Sequence, residues 1–467
     1  METKINERLA GIERAKALIH AGDPDAAMDI CDEMLKENPN DVPALVTATA
    51  ILDRARRLPA AYQYAKRAVD LAPGLSSAWT NYGRISEELY QLEEAEKAFR
   101  KAIELSKKPA SLSLNLNNLA AFYVTTGNWQ EAKKVARECL AVDPDSRKAK
   151  GNLGVAQLAL HEWKEGWPNY GEILGSEQRK LVKYRAKDEP EWNGEPGKTV
   201  VVYGEQGLGD ELSFASMLPD AIKVADRVIV DCDERLVGIF KRSFPKAKIY
   251  GTRWKKDIVW DEEDQSPDYS IAVGQLGKIF RNSDSDFTGD AYLVPDKERH
   301  IMWREYFKTK QRPVIGIAWS GGLDWTAKRY RRWMLSQLQP LFDSVNAHWV
   351  CLQYKDAESE LRSFDGADIS QYKFATLSKD YDDTAALVSA CDLVICMQTS
   401  VGHLAAAMGI ETWAFVNSVA PQWRYGTEDT VPWYSAMKVF RQHKDGSWPI
   451  EDAARILKLR HATMAAA

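Results

Sequence analysis

No stretch of this chain approaches the ~20 consecutive apolar residues that a helix needs to cross a bilayer. The opening residues, METKINERLAGIERAK, are charged throughout and lack the apolar core of a secretion signal. Cysteine is sparse: six in 467 residues (Cys31, Cys139, Cys232, Cys351, Cys391, Cys396), with no C-x-x-C pair and no metal-ligand spacing. That pattern speaks against a disulfide scaffold or a zinc knuckle and predicts reduced, buried thiols and a cytoplasmic location. Charge of neither sign dominates. Lys and Arg number 62 and Asp and Glu 67, a formal net charge of −5, too even for a nucleic-acid binder driven by bulk electrostatics. H-E-x-x-H, the P-loop and G-x-S-x-G are missing, so zinc-protease, P-loop NTPase and α/β-hydrolase chemistry find no support. What remains is an ordinary globular balance, 45% hydrophobic and 28% charged, over a length that suggests about three domains.

The first third repeats. Ala27, Ala61 and Ala95 are spaced by 34, as are Pro39 and Pro73, and Ala120 and Gly154; Ala132 follows Ala95 after 37. One unit reads Trp79-x2-Tyr82-Gly83-x2-Ser86 and then Ala95-x3-Phe99. The next reads Leu116-x2-Leu119-Ala120-x2-Tyr123, then Ala132-x3-Ala136 and Pro144. This resembles the tetratricopeptide repeat, a pair of antiparallel helices of period 34. Small residues sit where helices touch, large ones fill the gap, and proline ends the second helix. One unit cannot bury its apolar face, so units stack into a solenoid. About four and a half units fit between residues 8 and 170. The last is atypical, because Trp163-Lys164-Glu165-Gly166-Trp167 loads it with aromatics that suit a seat for the following domain. The concave face either holds a peptide or protein, or the solenoid is a spacer or an arm for self-association.

Residues 185–198 (RAKDEPEWNGEPGK) read as a linker, after which the periodicity changes. TVVVY (199–203), RVIVD (227–231) and YSIAV (269–273) read as buried strands. A second series is VIGIAW (314–319), HWVCLQ (348–353), LVICM (393–397) and TWAFV (412–416). Strands alternating with helices predict parallel sheets covered on both faces. Two series joined around 296–312 predict two Rossmann-like halves, with WPIEDAARILKLRHA (448–462) closing the chain. The cleft between the halves, at the carboxyl ends of the strands, is the expected site. The predicted domains are a solenoid over 1–175, a linker over 176–198, a first α/β half over 199–305 and a second over 306–467.

Three motifs carry chemistry. GEQGLGDE (204–211) follows a strand. Its order is G-x-x-G-x-G rather than the dinucleotide G-x-G-x-x-G, which counts against an NAD-linked oxidoreductase. Gly207 and Gly209 let a ligand approach, and Asp210 is either a general base or a first-turn carboxylate favoured by the helix dipole. In LVICMQTSVGHLAAAMGIETWAFV (393–416), Thr399, Ser400 and His403 stand at a helix start after a buried strand. That is either a phosphate site or a capped helix with a structural histidine. SGGLDWTAKRYRRW (320–333) brings Lys328, Arg329, Arg331 and Arg332 to a glycine-bearing loop, suited to neutralising a leaving diphosphate or simply solvated. Weaker signals are the rings Trp423, Tyr425, Trp433 and Tyr434, which either stack on a base or sugar or pack a loop, and Asp231-Cys232-Asp233, which mimics a metal pair.

Taken in order, WKEGWPNY (163–170), EWNGEPGKTVVVYGEQGLGDELSFA (191–215), GIAWSGG (316–322), YDDTAALVSACDLVI (381–395), QTSVGHLAAAMG (398–409), QWRYG (422–426) and PWYSAMKVFRQ (432–442) resemble bacterial proteins with tetratricopeptide repeats fused to a GT-B glycosyltransferase domain. That domain is similar to glycosyltransferase family 9, the heptosyltransferases, and more distantly to O-GlcNAc transferase. The resemblance implies inverting transfer of a sugar from a nucleotide-sugar donor to a hydroxyl of a protein or glycan, with no metal and no further cofactor. It places the base at Asp210 and the donor diphosphate at Thr399, Ser400, Gly402 and His403. It makes Lys328, Arg329 and Arg331 candidates for leaving-group stabilisation, with Gln398, Gly207 and Gly209 near the donor sugar or in the adjoining loop. Three positions depart from the family: Gln398 replaces an aspartate, Ser216 an arginine, and Lys328 an acidic residue. These departures keep a second reading open, a weak or inactive enzyme that serves as a scaffold for a protein partner.

Overall fold

The computed structural model describes residues 2–176, 179, 189–255, 260–322 and 331–466. The chain forms two compact units, Met1–Leu153 and Gly154–Ala467. The division falls inside one helix, Arg147–Ala159.

The first unit is a run of helices: α1 (Glu2–Ala21), α2 (Pro24–Glu37), α3 (Val42–Arg54), α4 (Leu58–Leu71), α5 (Ser76–Glu88), α6 (Leu92–Glu104), α7 (Pro109–Thr125), α8 (Trp129–Val142) and the start of α9 (Arg147–Ala159). Local chemistry sets their ends. Asp23 and Asp41 cap α2 and α3 by accepting from the N–H of Ala26 and Ala44. Pro39 and Pro73 stand two residues beyond the last helical residue of α2 and α4, where a helix cannot continue. Consecutive helices pack as antiparallel pairs, α1 on α2 through α7 on α8. The alanines that mark the repeat, Ala27, Ala61, Ala95 and Ala132, are all fully buried. Gly83 shows why the spacing tolerates only small residues, since a Cβ there would lie 2.9 Å from the Phe99 ring. Successive repeats are also stitched by buried amides. Asn115 Nδ2 donates to Ser76 Oγ (2.8 Å) and Ser106 Oγ (2.9 Å), while its oxygen accepts from Thr80 Oγ1 (2.7 Å).

The second unit begins with the end of α9 and with α10 (Trp163–Gly171), and then holds two sheets. In the first, β1 (Thr199–Tyr203), β2 (Arg227–Asp231), β3 (Lys248–Tyr250) and β4 (Tyr269–Ala272) lie in the order β3-β2-β1-β4, all parallel. The second is built from β5 (Val314–Ala318), β6 (His348–Cys351), β7 (Ile369–Gln371), β8 (Leu393–Met397), β9 (Thr412–Val416), β10 (Thr430–Val431) and β11 (Tyr434–Arg441). Its order is β10-β11-β9-β8-β5-β6-β7, parallel except for the β10–β11 edge pair. Counted from β5, the six parallel strands follow the doubly wound 3-2-1-4-5-6 order. Strands β5, β8 and β9 are buried at every residue, as continuous apolar runs in a covered parallel sheet must be. Helix Ile450–Ala466 closes the chain, adding Ile450, Ala453, Ala454 and Leu457 to the core around Trp333 and Phe415.

Every strand expected from the sequence is present, but four were not anticipated. Two, β3 and β7, have only three residues. The other two, β10 and β11, lie in a stretch read as an aromatic loop; β11 instead runs parallel to β9. All six cysteines are free and buried. Among the described residues, no helix is long and apolar enough to cross a membrane.

An aromatic cluster joins the parts of the second unit. Trp163 and Trp167 of α10 meet Phe214, Phe287, Trp423 and Trp433. Ring centroids lie 5.7 Å apart for Trp167–Trp423, 4.6 Å for Trp163–Phe287 and 5.9 Å for Phe214–Trp433. Trp167 is fully buried, and its Nε1 donates to the Arg281 carbonyl at 2.7 Å. Replacing Trp167 with Ala therefore opens a cavity and orphans that carbonyl. A loss of about 3–5 kcal/mol is expected, read as a lowered urea midpoint by near-UV circular dichroism. An unchanged midpoint would remove the cluster from its central role.

Candidate functional site

The two sheets reverse strand order between β1 and β4 and between β5 and β8, the places where crevices open in such folds. Two of the sequence motifs sit there. After β1, the chain turns through Gly204–Gly207 into α11 (Leu208–Phe214), with Gly207 as N-cap. After β8, Gln398 and Thr399 lead into the helix Ser400–Ala407. The two turns face each other closely. A Cβ on Gly209 would lie 3.3 Å from the His403 ring and 3.4 Å from Ser400 Cα, so a larger residue there would press the two turns apart by a few tenths of an ångström.

Asp210 lies in the first turn of α11, and both its carboxylate oxygens are engaged. Oδ2 accepts from the Gly207 N–H at 3.0 Å, and Oδ1 accepts from Arg424 Nη2 at 2.6 Å. The geometry is thus a first-turn cap plus an ion pair. Arg424, from the QWRYG motif, is 4% exposed on its side chain. It lies over Phe214 (4.3 Å) and Trp423 (4.8 Å). Sequence reasoning quoted the motif and passed over its arginine. The signal was there, a lone cation set among aromatic residues.

His403 is 3% exposed. Its Nδ1 lies 3.1 Å from Tyr434 Oη and its Nε2 3.5 Å from Tyr425 Oη. Tyr434 in turn accepts from Tyr292 at 3.5 Å, and Tyr292 Oη also lies 2.7 Å from the Leu212 carbonyl. Burial, with Arg424 nearby, lowers the imidazole pKa to about 4. His403 is therefore a neutral hydrogen-bonding group at pH 7.

Gln398 is 1% exposed. Its amide donates to Asn417 Oδ1 (2.5 Å) and to the Ala420 carbonyl (3.0 Å), and accepts from the Gln422 N–H (3.1 Å). These bonds hold the 417–424 loop against the end of β8 and occupy the amide inside the protein, which accounts for glutamine there without a sugar. At the helix start, the N–H groups of Gly402 and His403 close onto the Thr399 carbonyl, leaving those of Ser400 and Val401 as the outward donors. Thr399 Oγ1 is out of solvent, with the Cys396 thiol as its polar neighbour.

The basic loop after β5 is pinned at its base. Ser320 bridges Arg332, the Gly321 N–H donates to the Arg331 carbonyl (2.9 Å), and the Trp333 N–H donates to the Trp319 carbonyl (2.8 Å). Lys328 and Arg329 lie outside the described residues. Arg331 is described and unusual: its side chain is partly exposed, yet its Nε is out of solvent with no partner among the described residues. Burial pulls its pKa below the arginine range, and Asp210 and Tyr425 act in the opposite sense. Among the described residues no carboxylate pairs with Arg331, and desolvating a guanidinium unpaired is costly unless something anionic completes it.

Two alternatives are resolved by the geometry. Trp423, Tyr425, Trp433 and Tyr434 are at most 7% exposed and packed on protein, so they are core rings and offer no stacking surface. Asp231 accepts from Thr252 N and Oγ1, both at 2.9 Å, while Asp233 holds Arg235 and Trp254 Nε1. Asp231 Oδ1 and both oxygens of Asp233 are thereby engaged in internal bonds. The described residues bring Asp210, Gly207, Gly209, Ser400 and His403 to one place.

Residues 76–109 and 116–142 match tetratricopeptide repeat families, and the helical first unit is a solenoid of that type. The chain is 31% identical over 310 residues to Protein FlbA of Caulobacter vibrioides, covering 62% of this chain and 51% of that protein. It is 26% identical over 126 residues to the general transcriptional corepressor ssn6 of Schizosaccharomyces pombe, covering 27% of this chain and 11% of that protein. The chain thus spans about half the length of the first relative and a small part of the second. A thermophilic TPR protein of Thermus thermophilus is 20% identical, covering 37% of this chain and 92% of its own, with a TM-score of 0.32.

Because the folded state keeps His403 neutral down to about pH 4 while an unfolded histidine protonates near pH 6.5, the unfolded chain binds more protons between those values. Stability therefore falls as pH drops through that window, by ~1.4 kcal/mol per pH unit at most and roughly 3 kcal/mol in all. Guanidinium unfolding of His403→Gln at pH 7.0, 5.5 and 4.5 is expected to show a shallower acid loss than the unsubstituted protein. Parallel slopes would mean that His403 protonates freely in the fold.

Proposed function

We propose that the second unit is an inverting, metal-independent glycosyltransferase with a GT-B arrangement of its two sheets, acting on a hydroxyl of a protein or glycan, and that the solenoid presents the acceptor or a partner. In this reading residues 199–305 hold the acceptor and 306–467 the nucleotide-sugar donor, with the solenoid over 1–175 and a linker over 176–198. One observation carries it: among the described residues Arg331, itself partly exposed, keeps an Nε out of solvent with no hydrogen-bond partner, on the same loop base as Gly321, which packs against Thr399 at the helix start. Both lie at the turn in strand order of a doubly wound sheet. Such a place suits an anion, because the helix start offers N–H donors and the positive end of the dipole. A nucleoside diphosphate supplies the missing partner.

The chemistry follows from charge. The acceptor oxygen attacks the anomeric carbon, the bond from that carbon to the diphosphate oxygen breaks, and the diphosphate leaves with the bonding electrons. Arg331 and the helix N–H groups stabilise the departing charge. Asp210 takes the proton from the attacking hydroxyl, which requires Arg424 to release Oδ1. That pairing also favours the second reading, a scaffold that binds a nucleotide and a protein partner without turnover.

Thermal-shift titration with UDP, GDP, CDP and ADP tests the donor site, since a ligand that binds only the folded state raises the melting temperature. One nucleotide is expected to do so, with the response lost in Arg331→Met. No response to any of them from folded protein overturns the donor site. Given a binding nucleotide, donor hydrolysis or transfer that falls at least a hundredfold in Asp210→Asn, with nucleotide affinity kept, supports the enzyme. Undiminished turnover removes Asp210 as base, and binding with no turnover at all favours the scaffold.

A further inference from the structure

The peptide group that joins Gln206 to Gly207 is held at both ends. Its oxygen, the Gln206 carbonyl, accepts from Arg253 Nη2 at 2.8 Å, and its N–H, that of Gly207, donates to Asp210 Oδ2 at 3.0 Å. Arg253 lies just past β3, is buried, and pairs through Nη1 with Glu211. Glu211 is buried too, and its other oxygen accepts from the Asp233 N–H at 3.0 Å. The turn is strained where Arg253 grips it: Gln206 has φ +56°, a left-handed conformation that a side chain disfavours. Its side chain is tied as well, with Nε2 donating to Tyr170 Oη at 2.7 Å.

Helix capping accounts for only part of this. A first-turn carboxylate that takes the N-cap N–H needs no buried cation on the carbonyl side of the same peptide. The Glu211–Arg253 pair is also withdrawn from water, and such pairs add little net stability while specifying one arrangement. What this pair specifies is the plane of one amide. A guanidinium on its oxygen and a carboxylate on its N–H polarise the amide in the same sense, so each bond strengthens the other. Turning the peptide over would break both. Asp210 is thereby fixed, with Oδ2 committed to the turn and Oδ1 directed at Arg424 Nη2, 2.6 Å away. We propose that Glu211 and Arg253 are positioning residues for Asp210: through this single peptide they commit Oδ2 and leave Oδ1 as the oxygen that receives the acceptor proton. This rests on the transferase reading and assigns the oxygen of its base.

Gln206–Gly207 is the one Gln-Gly step in the sequence. Full chain made by cell-free synthesis with carbonyl-13C glutamine and 15N-glycine therefore gives a single carbonyl-linked amide signal. It is expected at low field and moves upfield in Asp210→Asn, where a neutral amide replaces the carboxylate acceptor. The double variant Glu211→Gln/Arg253→Met removes both charges together, so that neither is left buried alone. In it the signal is expected to move the same way, while glycine amides outside the turn stay in place. A signal that keeps its position in Asp210→Asn or in the double variant overturns the proposal. Should the double variant fail to fold, Arg253→Lys, which keeps a charge for Glu211 but reaches only one acceptor, is read by the same criterion. Where a nucleotide binds and donor turnover is measurable, the double variant is expected to lower kcat about tenfold with nucleotide affinity kept. Unchanged kcat beside a moved signal also overturns the positioning role and leaves the transferase standing. Absent nucleotide binding or turnover in the unsubstituted chain is a separate outcome: it removes the transferase reading, and with it the role of Asp210, whatever the peptide signal does.

Discussion

The packing of two tryptophans on one short helix fixes much of the second unit. Trp163 and Trp167 are four residues apart and so share a face of α10. On that face they gather Phe214 from the helix that follows the first sheet's central strand and Trp423 and Trp433 from the segment before the last strand of the second sheet. Each buried indole removes a large apolar area from water and admits little rearrangement, because the interior is close-packed. Phe214 ends the helix whose first turn carries Asp210, so the cluster anchors that side of the site. Across from it, a Cβ on Gly209 would press on the His403 ring at 3.3 Å, so the two turns pack closely.

Charge is handled by a different rule in the same region. Three carboxylates lie within seven residues: Glu205, Asp210 and Glu211. Each meets an arginine from elsewhere in the chain, respectively Arg179, Arg424 and Arg253. Glu205 and Arg179 are both fully buried, with Arg179 also donating to the Tyr170 carbonyl (3.1 Å) and Gln275 Oε1 (2.9 Å). Buried pairs of this kind contribute little net stability, since desolvation offsets attraction, yet removing one partner leaves an uncompensated charge. Their effect is to specify one conformation of the glycine-rich turn. Glu211 illustrates the cost that is being met: burial pushes its carboxyl pKa upward against the pull of Arg253.

Legibility in the sequence followed the range of the interaction. The 34-residue spacing of Ala27, Ala61 and Ala95 is a local signal, and those residues are the fully buried helix contacts. Continuous runs such as LVICM and TWAFV announced β8 and β9. Strands β3 and β7 are too short to show a period, and β11 is hidden because its first residue, Tyr434, stands next to Trp433 in a stretch crowded with rings. In the candidate site, Asp210 and His403 were visible from their place after strands. Arg424 was not singled out because its partner lies 214 positions away, a separation across which no spacing rule operates. For Gln398 the residue type stands out in the sequence, while its three internal hydrogen bonds are invisible without the fold.

Arg424 and Arg331 separate two conditions that a sequence cannot tell apart. Both are arginines near Asp210, and both have a buried Nε without a partner. Arg424 nevertheless has its charge balanced by Asp210, and its pKa stays high. Arg331 lacks a carboxylate among the described residues, and burial lowers its pKa. A second negative charge brought to this place would lower the cost of burying Arg331 and would also compete with Asp210 for Arg424. On the transferase reading, donor binding and release of the base are then one event. An anion that satisfies both arginines frees the Asp210 oxygen that a hydroxyl proton needs, and without that anion the ion pair keeps the base engaged.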